Sequence, residues 1–253
     1  MGFSTWSAPE RERLRRAGAV AAATLASIGA RIRAGITTHD IDRWVREDTA
    51  ARGGIPSQLG YHGFPAAVCT SVNEVVCHGV PSRSRVLRDG DIVNVDVTTM
   101  IDGFHGDTSA TFFVGEPSAE ARHLVESARA CRDAGIAVVR HGARLGDIGA
   151  AIEERARGLG VVRDFGGHGI GREMHMSPHV PHVGRKGSGP RLVAGMAITI
   201  EPMINLGRAD VSLGDGEWNV VTADGSWSAQ FEHTILVERD GAEILTLLPS
   251  SAS

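Results

Sequence analysis

Two stretches of this 253-residue chain carry the same residue types in the same order, and that repetition limits the fold more than any other feature. Gly35, Asp40, Ile41, Glu47 and Gly53 lie 107 positions before Gly142, Asp147, Ile148, Glu154 and Gly160, and Val45 likewise precedes Ile152. Further on, the run from Gly90 to Asp96 precedes the run from Gly195 to Glu201 by 105 positions, each with a glycine six residues before an acid. Helical and strand registers agreeing within two residues point to an internal duplication. The expectation is one domain over residues 1–253, made of two similar αβ halves at about 5–115 and 118–247. A pseudo-two-fold would relate them and bring their acids together at the centre.

Local signals give the order of elements. Ser7-Ala8-Pro9-Glu10 reads as a capping box opening a helix to about residue 33, and Thr37-Thr38-His39-Asp40 repeats the signal. A third helix is expected from Pro117-Ser118 to about Arg140, and a fourth near Asp147. Between them lie "AAVCTSV", "DIVNVDVTTMID", "SATFFVG", "AITIEPMI", "EWNVVTA" and "FEHTILVER", rich in Val, Ile, Thr and Phe and bounded by turn residues. The sequence therefore reads helix, helix, strands, twice over, in the α+β class.

Four acids are out of place in such strands. Asp96 sits between Val95 and Val97, and burying a carboxylate there costs several kcal/mol unless it is paired or metal-bound. Asp107 follows the turn residues Asp102-Gly103, so the two acids are expected to face each other across a hairpin. Glu201 in "ITIEPM" and Glu232 in "AQFEHTILV" repeat the anomaly, with no matching Lys or Arg nearby. Cations from solvent are the remaining partners.

Histidine adds the nitrogen ligand. Four of the eleven histidines fall between 168 and 182, and His168 lies among Gly166, Gly167, Gly169 and Gly171, which let backbone approach closely. Carboxylates plus one imidazole form an oxygen-rich set suited to two divalent ions such as Co, Mn, Fe(II) or Zn. Two other readings fail: Pro178 opposes a helical His175/His179 pair, and "GGHGIG" fits neither nucleotide-loop pattern.

Composition excludes several classes. The chain is 42% hydrophobic with a formal charge of −4, and its basic residues are dispersed apart from Arg11, Arg13, Arg15 and Arg16, expected to solvate a helix. Nucleic-acid binding is not expected. No run of about 18 apolar residues and no apolar leader segment is visible, so membrane association is not expected either, and the chain reads as cytoplasmic. Cys69, Cys77 and Cys131, odd in number and without a C-x-x-C pair, read as reduced thiols.

The residues also resemble a family. "LGYHGFP" (59–65), "SVNEVVCHGVP" (71–81), "GDIVNVDV" (90–97), "GFHGDTSATFFVG" (103–115), "GGHGIGREMH" (166–175), "ITIEPM" (198–203) and "SAQFEHTI" (228–235) are similar, in order, to the type I methionine aminopeptidases. That resemblance implies a pita-bread fold, with a central curved antiparallel sheet and helices on its outer face. It implies that Asp96, Asp107, His168, Glu201 and Glu232 bind two metal ions, matching the set reached from burial and charge. It further implies removal of the initiator methionine from nascent chains by attack of a metal-bridging hydroxide on the first peptide bond. Glu201 would shuttle the proton, and His78 and His175 would contact substrate. Tyr61, Phe64, Cys69 and Trp218 match positions lining the methionine pocket, with Met174 joining them, while His179 and His182 match no role and are expected in a loop or at the surface. The partners implied are N-terminal Met peptides and, transiently, the ribosome; the protein would be a monomer.

The sequence departs from the family at Phe64, often Tyr, at Gln58, often small or sulfur-bearing, and at Met176-Ser177, where an acid is common. These put the pocket rim in question. Aminopeptidase P or prolidase shares the same ligand set, but those chains usually carry an added N-terminal domain. A binding module without metals would show lost ligands, and all five are present.

Overall fold

The computed structural model describes residues 3–248. Helices α1 (Ala8–Gly29) and α2 (Thr38–Ala51) are followed by β1 (Ile55–Pro56), β2 (Cys69–Val72), β3 (Val75–Cys77) and the hairpin β4 (Ile92–Ile101) and β5 (Phe104–Phe113). Helices α3 (Ala119–Ala137) and α4 (Leu145–Arg155) lead to β6 (Gly160–Val161), β7 (Gly166–Gly169), β8 (Met176–Pro181) and β9 (Ala197–Ile200). The chain continues through β10 (Met203–Asn205), β11 (Val211–Leu213), β12 (Val220–Thr222), β13 (Ser228–Gln230), β14 (Glu232–Val237) and β15 (Ala242–Ile244).

Each helix starts where a side chain satisfies its free donors. Glu10 accepts from the Ser7 N–H at 3.0 Å and from its hydroxyl at 2.7 Å. At α2 the box is reciprocal: Asp40 accepts from the Thr37 N–H at 3.0 Å, and the Thr37 hydroxyl accepts from the Asp40 N–H at 3.1 Å. Ser118 caps α3, and Asp147 accepts from the Arg144 N–H to open α4. The first helix stops at Gly29, short of the expected residue 33, because the next amides bond three residues back, Arg31 to Ile28 and Ile32 to Gly29. Its arginines are tied down more than expected. Arg15 grips Glu243 through Nε at 2.7 Å and Nη2 at 2.8 Å, and Arg16 meets Asp102 at 2.6 Å.

One sheet dominates, in the order β1-β4-β5-β14-β9-β7-β8, with β2 also on β4 and β15 also on β14, and every pairing is antiparallel. Strand β8 is an edge and carries Pro178 and Pro181, while β1 at the other end carries Pro56. The turn between β4 and β5 has positive φ at both Asp102 and Gly103, as a two-residue hairpin requires.

The helices cover one face through two apolar clusters, one including Ile28, Ile41, Val45, Val93, Val95 and Val97, the other including Leu124, Ile148, Ile152, Ile198, Ile200 and Ile235. Alternation along the strands sends those residues to the helices and the acids to the opposite face. Two corresponding bridges precede the helices α2 and α4: Thr37 bridges Val86 and Arg144 bridges Arg191, while Gly35 and Gly142 have φ of 87° and 84°.

Helix α1 lies so close to β5 that a Cβ at Gly106 would overlap the backbone of Ala17 and Gly18. Gly106→Ala is therefore expected to destabilise the protein by about 2 kcal/mol or more, because backbone rather than a side chain must move. Thermal unfolding of the metal-free variant checks this; an unchanged Tm would mean that the helix rides further from the sheet.

Candidate active site

Sheet register assembles the acids. Asp96 pairs with Cys69 on one side and Ser109 on the other, and Ser109 pairs with Glu232. Carried one residue past β9, the register that sets His233 opposite Ile200 puts Glu201 opposite Glu232. Asp96, Glu232 and Glu201 thus share one transverse row. The neighbouring row on the same face holds Thr98 opposite Asp107, with Thr234 opposite Thr199. Asp96 and Asp107 are therefore diagonal neighbours, not the directly facing pair expected from sequence. The hairpin register places a hydroxyl residue opposite each acid, Ser109 and Thr98.

The threonines of the second row orient the acids. Thr98 Oγ1 donates to Asp107 Oδ1 at 2.8 Å, Thr199 Oγ1 donates to Glu201 Oε1 at 2.7 Å, and the Asp107 N–H donates to Thr234 Oγ1 at 3.0 Å. Sequence reasoning missed all three, although the signal was present. Thr98, Thr199 and Thr234 each lie two residues from an acid on its own strand, hence on its face.

His168 enters from β7, its N–H donating to Thr199 Oγ1 at 2.9 Å. Its Nδ1 lies 3.0 Å from the Gly169 carbonyl, which can only accept, so Nδ1 carries the proton and Nε2 keeps a free lone pair. That Nε2 is 3.5 Å from Glu201 Oε1 and 3.9 Å from Asp107 Oδ2. Burial, with nearby imidazoles, pushes the His168 pKa down to about 3, so the ring is neutral. Ligand atoms of Asp107, His168 and Glu232 lie within 4.8 Å of one another, and Asp96 and Glu201 line the same cavity.

The donor set fits divalent metal. Asp96 Oδ1 and Glu232 Oε1 are buried without a hydrogen-bond partner, an arrangement that costs free energy unless a cation faces them. Burial, with neighbouring carboxylates, raises Asp96 and Glu232 well above the usual carboxylate range. Burial likewise pushes Asp107 up to about 7 and Glu201 up to about 8. Among the described residues, the ion-pair contacts to these acids come from His168 and none from Lys or Arg. Protons or metal ions must supply the balance.

The cavity, about 260 Å³, extends from the acids into an apolar lobe formed by Tyr61, Phe64, Cys69, Met174 and Trp218. Phe64 and Trp218 meet edge to face at 5.3 Å. Gln58 also lines the cavity, its Nε2 donating to the Asp96 carbonyl at 2.9 Å and approaching Cys69 Sγ at 3.8 Å. His78 borders the cavity from a backbone at φ 56°, a strained position for a residue with a Cβ. Its ring packs edge-on to Phe165. His175 is exposed, stacks edge-on to His168 at 4.3 Å, and bonds the Tyr61 hydroxyl through Nδ1 at 2.9 Å. Although the residue is open to solvent on one side, partial desolvation of its ring, with the surrounding imidazoles, lowers its pKa to about 4.

Two histidines need a second account. His179 is exposed, as expected, but on strand β8 opposite His168. His182, expected in a loop or at the surface, is only 2% exposed, and its Nε2 accepts the Glu201 N–H at 3.2 Å. Glu201 lies just past the end of β9, where its amide leaves the ladder, and His182 satisfies that amide.

This site now has relatives. A model of metallopeptidase family M24 matches residues 12–239. The chain belongs to metallopeptidase family M24. This M24 chain is 52% identical to methionine aminopeptidase A of Synechocystis over 240 residues, covering 94% of this chain and 95% of that protein. It is 46% identical to the methionine aminopeptidase of Rickettsia prowazekii, covering 94% and 92%. A crystal structure of methionine aminopeptidase from Rickettsia prowazekii superimposes with a TM-score of 0.95 at 43% identity, covering 97% of this chain and 100% of that one. A Xaa-Pro dipeptidase from Bacillus anthracis shares the fold at TM-score 0.78 and 22% identity, covering 98% of this chain and 63% of that one. The curled antiparallel sheet with outer helices is the pita-bread fold of these M24 proteins.

Metal should stabilise this M24 chain increasingly as pH rises. With Asp107 and Glu201 titrating near 7 and 8 in the folded state and lower when unfolded, these two groups' contribution to the stability of the metal-free protein is present below about pH 4 and is lost as pH climbs through 7 to 8. Added Mn(II) is expected to raise Tm far more at pH 8 than at pH 5.5, since binding displaces fewer protons. Equal shifts at both pH values would contradict these residues as ligands.

Proposed function

We propose that this chain removes the N-terminal methionine from peptides and nascent proteins by metal-dependent hydrolysis of the first peptide bond. One observation carries the reading: buried, unpaired carboxylates and a neutral imidazole line a cavity that is also lined by a thiol, a thioether and the aromatic side chains of Tyr61, Phe64 and Trp218. Such a lining suits an unbranched thioether side chain.

Asp96, Asp107, His168, Glu201 and Glu232 would hold two divalent ions, Co, Mn, Fe(II) or Zn. When bound, these supply a water-derived nucleophile near neutral pH and polarise the scissile carbonyl. Glu201, held by Thr199 and raised toward neutrality, is poised to accept a proton from the attacking water and pass it to the leaving amine. His78 hydrogen-bonds the peptide next to the bond that breaks. His175 steadies the charge on the carbonyl oxygen, its ring fixed by the Tyr61 hydroxyl. Tyr61, Phe64, Cys69, Met174 and Trp218 hold the methionine side chain.

The proposal treats residues 1–253 as one catalytic domain built from two related halves, supported by the matched bridges and glycines of the two helix-to-strand connections. It also takes the protein as a cytoplasmic monomer that meets nascent chains transiently at the ribosome. Among the described residues, no helix is long and apolar enough to cross a membrane.

The experiment is turnover of Met-Ala-Ser against Ala-Pro-Ala by chelator-stripped protein resupplied with Co, Mn, Fe(II) or Zn. Metal-dependent release of methionine from the first peptide alone is expected, whereas cleavage only before proline would assign the chain to the prolidase-like activities. Asp107→Ala and Glu232→Ala should each abolish binding of two ions and lower turnover by orders of magnitude. His175→Ala should lower turnover with metal content intact; metal loss in that variant would make His175 a ligand instead.

A further inference from the structure

Between β7 and β8 runs a strap, residues 170–175, that brings Met174 and His175 to the cavity. Its backbone is bonded mainly at its start: the Ile170 N–H donates to the Ala197 carbonyl at 3.1 Å, the Gly171 N–H donates to the Glu173 carbonyl at 3.2 Å, and the Gly171 carbonyl accepts from the His105 N–H at 2.8 Å. Side chains from the start of the chain complete the anchorage. Gly171 lies flat on the Trp6 ring, where a Cβ would overlap the indole. Trp6 is buried and its ring packs edge-on to Phe104 at 5.4 Å in a small core with Ile170, while its backbone N–H donates to the Gly195 carbonyl at 2.9 Å. Arg172, the next residue of the strap, lies over the other side of that assembly. Its guanidinium is 4.8 Å from the Phe104 centroid and donates to Glu10 Oε1 at 3.0 Å. Glu10 Oε2 accepts from Ser7, so one carboxylate both starts α1 and holds the strap.

We infer that the segment Trp6–Glu10 is a positioning element for His175, acting through Gly171 and Arg172. None of its side chains lines the cavity. Its effect passes through the strap, and a displacement of about 1 Å in a group that contacts the reacting carbonyl can cost on the order of 100-fold in rate. The inference rests on the reading of His175 given under Proposed function.

The test uses the full chain loaded with Mn(II), carrying Trp6→Ala, Trp6→Phe or Arg172→Ala, each with and without His175→Ala. The expected result for Trp6→Ala and Arg172→Ala is a fall in kcat on Met-Ala-Ser on the order of 10-fold, a smaller change in KM, and unchanged metal content. Trp6→Phe should restore most of the rate. In the His175→Ala background the same changes should cost little more, because residues acting through one group are non-additive. Equal losses in both backgrounds, or no loss from either variant, would overturn the inference. If Trp6→Ala does not fold, Arg172→Ala, on an exposed side chain, carries the comparison. A wild-type chain that releases no methionine would defeat the functional reading instead. Hydrogen exchange at amides 171–175 then decides the anchor: faster in Arg172→Ala if it exists, unchanged if it does not.

Discussion

The register of a single antiparallel sheet is the constraint from which this site follows. Because side chains alternate, a one-residue slip in β5, β9 or β14 would send its acid into the apolar layer beneath the helices. The valines and isoleucines on the opposite face fix the register by their burial, and the acids are carried with them. Packing energy on one side of the sheet thus holds like charges together on the other. The rest of the site answers that concentration of charge: threonines donate to the carboxylates, His168 presents a lone pair, and two carboxylate oxygens are left for metal.

Much of this was legible in the residues because the signals are local. Caps at Ser7, Thr37 and Ser118, the Asp102-Gly103 turn and the β-branched runs are decided by neighbours in sequence, and they placed the helices and the hairpin. The acids stood out because each broke an apolar pattern. What stayed hidden depends on partners distant along the chain. His182 sits in a stretch of glycine, proline and charge that reads as surface, yet the bare Glu201 amide, nineteen residues away, draws it inside. The diagonal offset of Asp96 and Asp107 likewise needed the pairing itself, since a two-residue turn puts Thr98 opposite Asp107. The arginines of α1 looked solvated because Glu243 and Asp102, their partners, are remote in sequence.

The fold persists where sequence similarity is low. The Bacillus anthracis dipeptidase shares the architecture at 22% identity, so the same sheet and helices form with most side chains different. The residues that line the apolar part of the cavity are largely separate from those that hold the scaffold together. In this chain they form a compact group, with Phe64, Cys69 and Trp218 in one small cluster of their own beside Ala66 and Val80. That cluster is separate from the two large clusters beneath the helices, so its side chains can vary without disturbing the register that assembles the acids.

The prolines of β8 and β1 have a different consequence. A sheet with free margins is a template for foreign strands, and this one ends in Pro56 on one side and in Pro178 and Pro181 on the other. Without N–H groups at those positions, an extended polypeptide lying along β1 or β8 cannot complete a ladder there. The two margins that bear these prolines thus offer a foreign strand an interrupted row of donors.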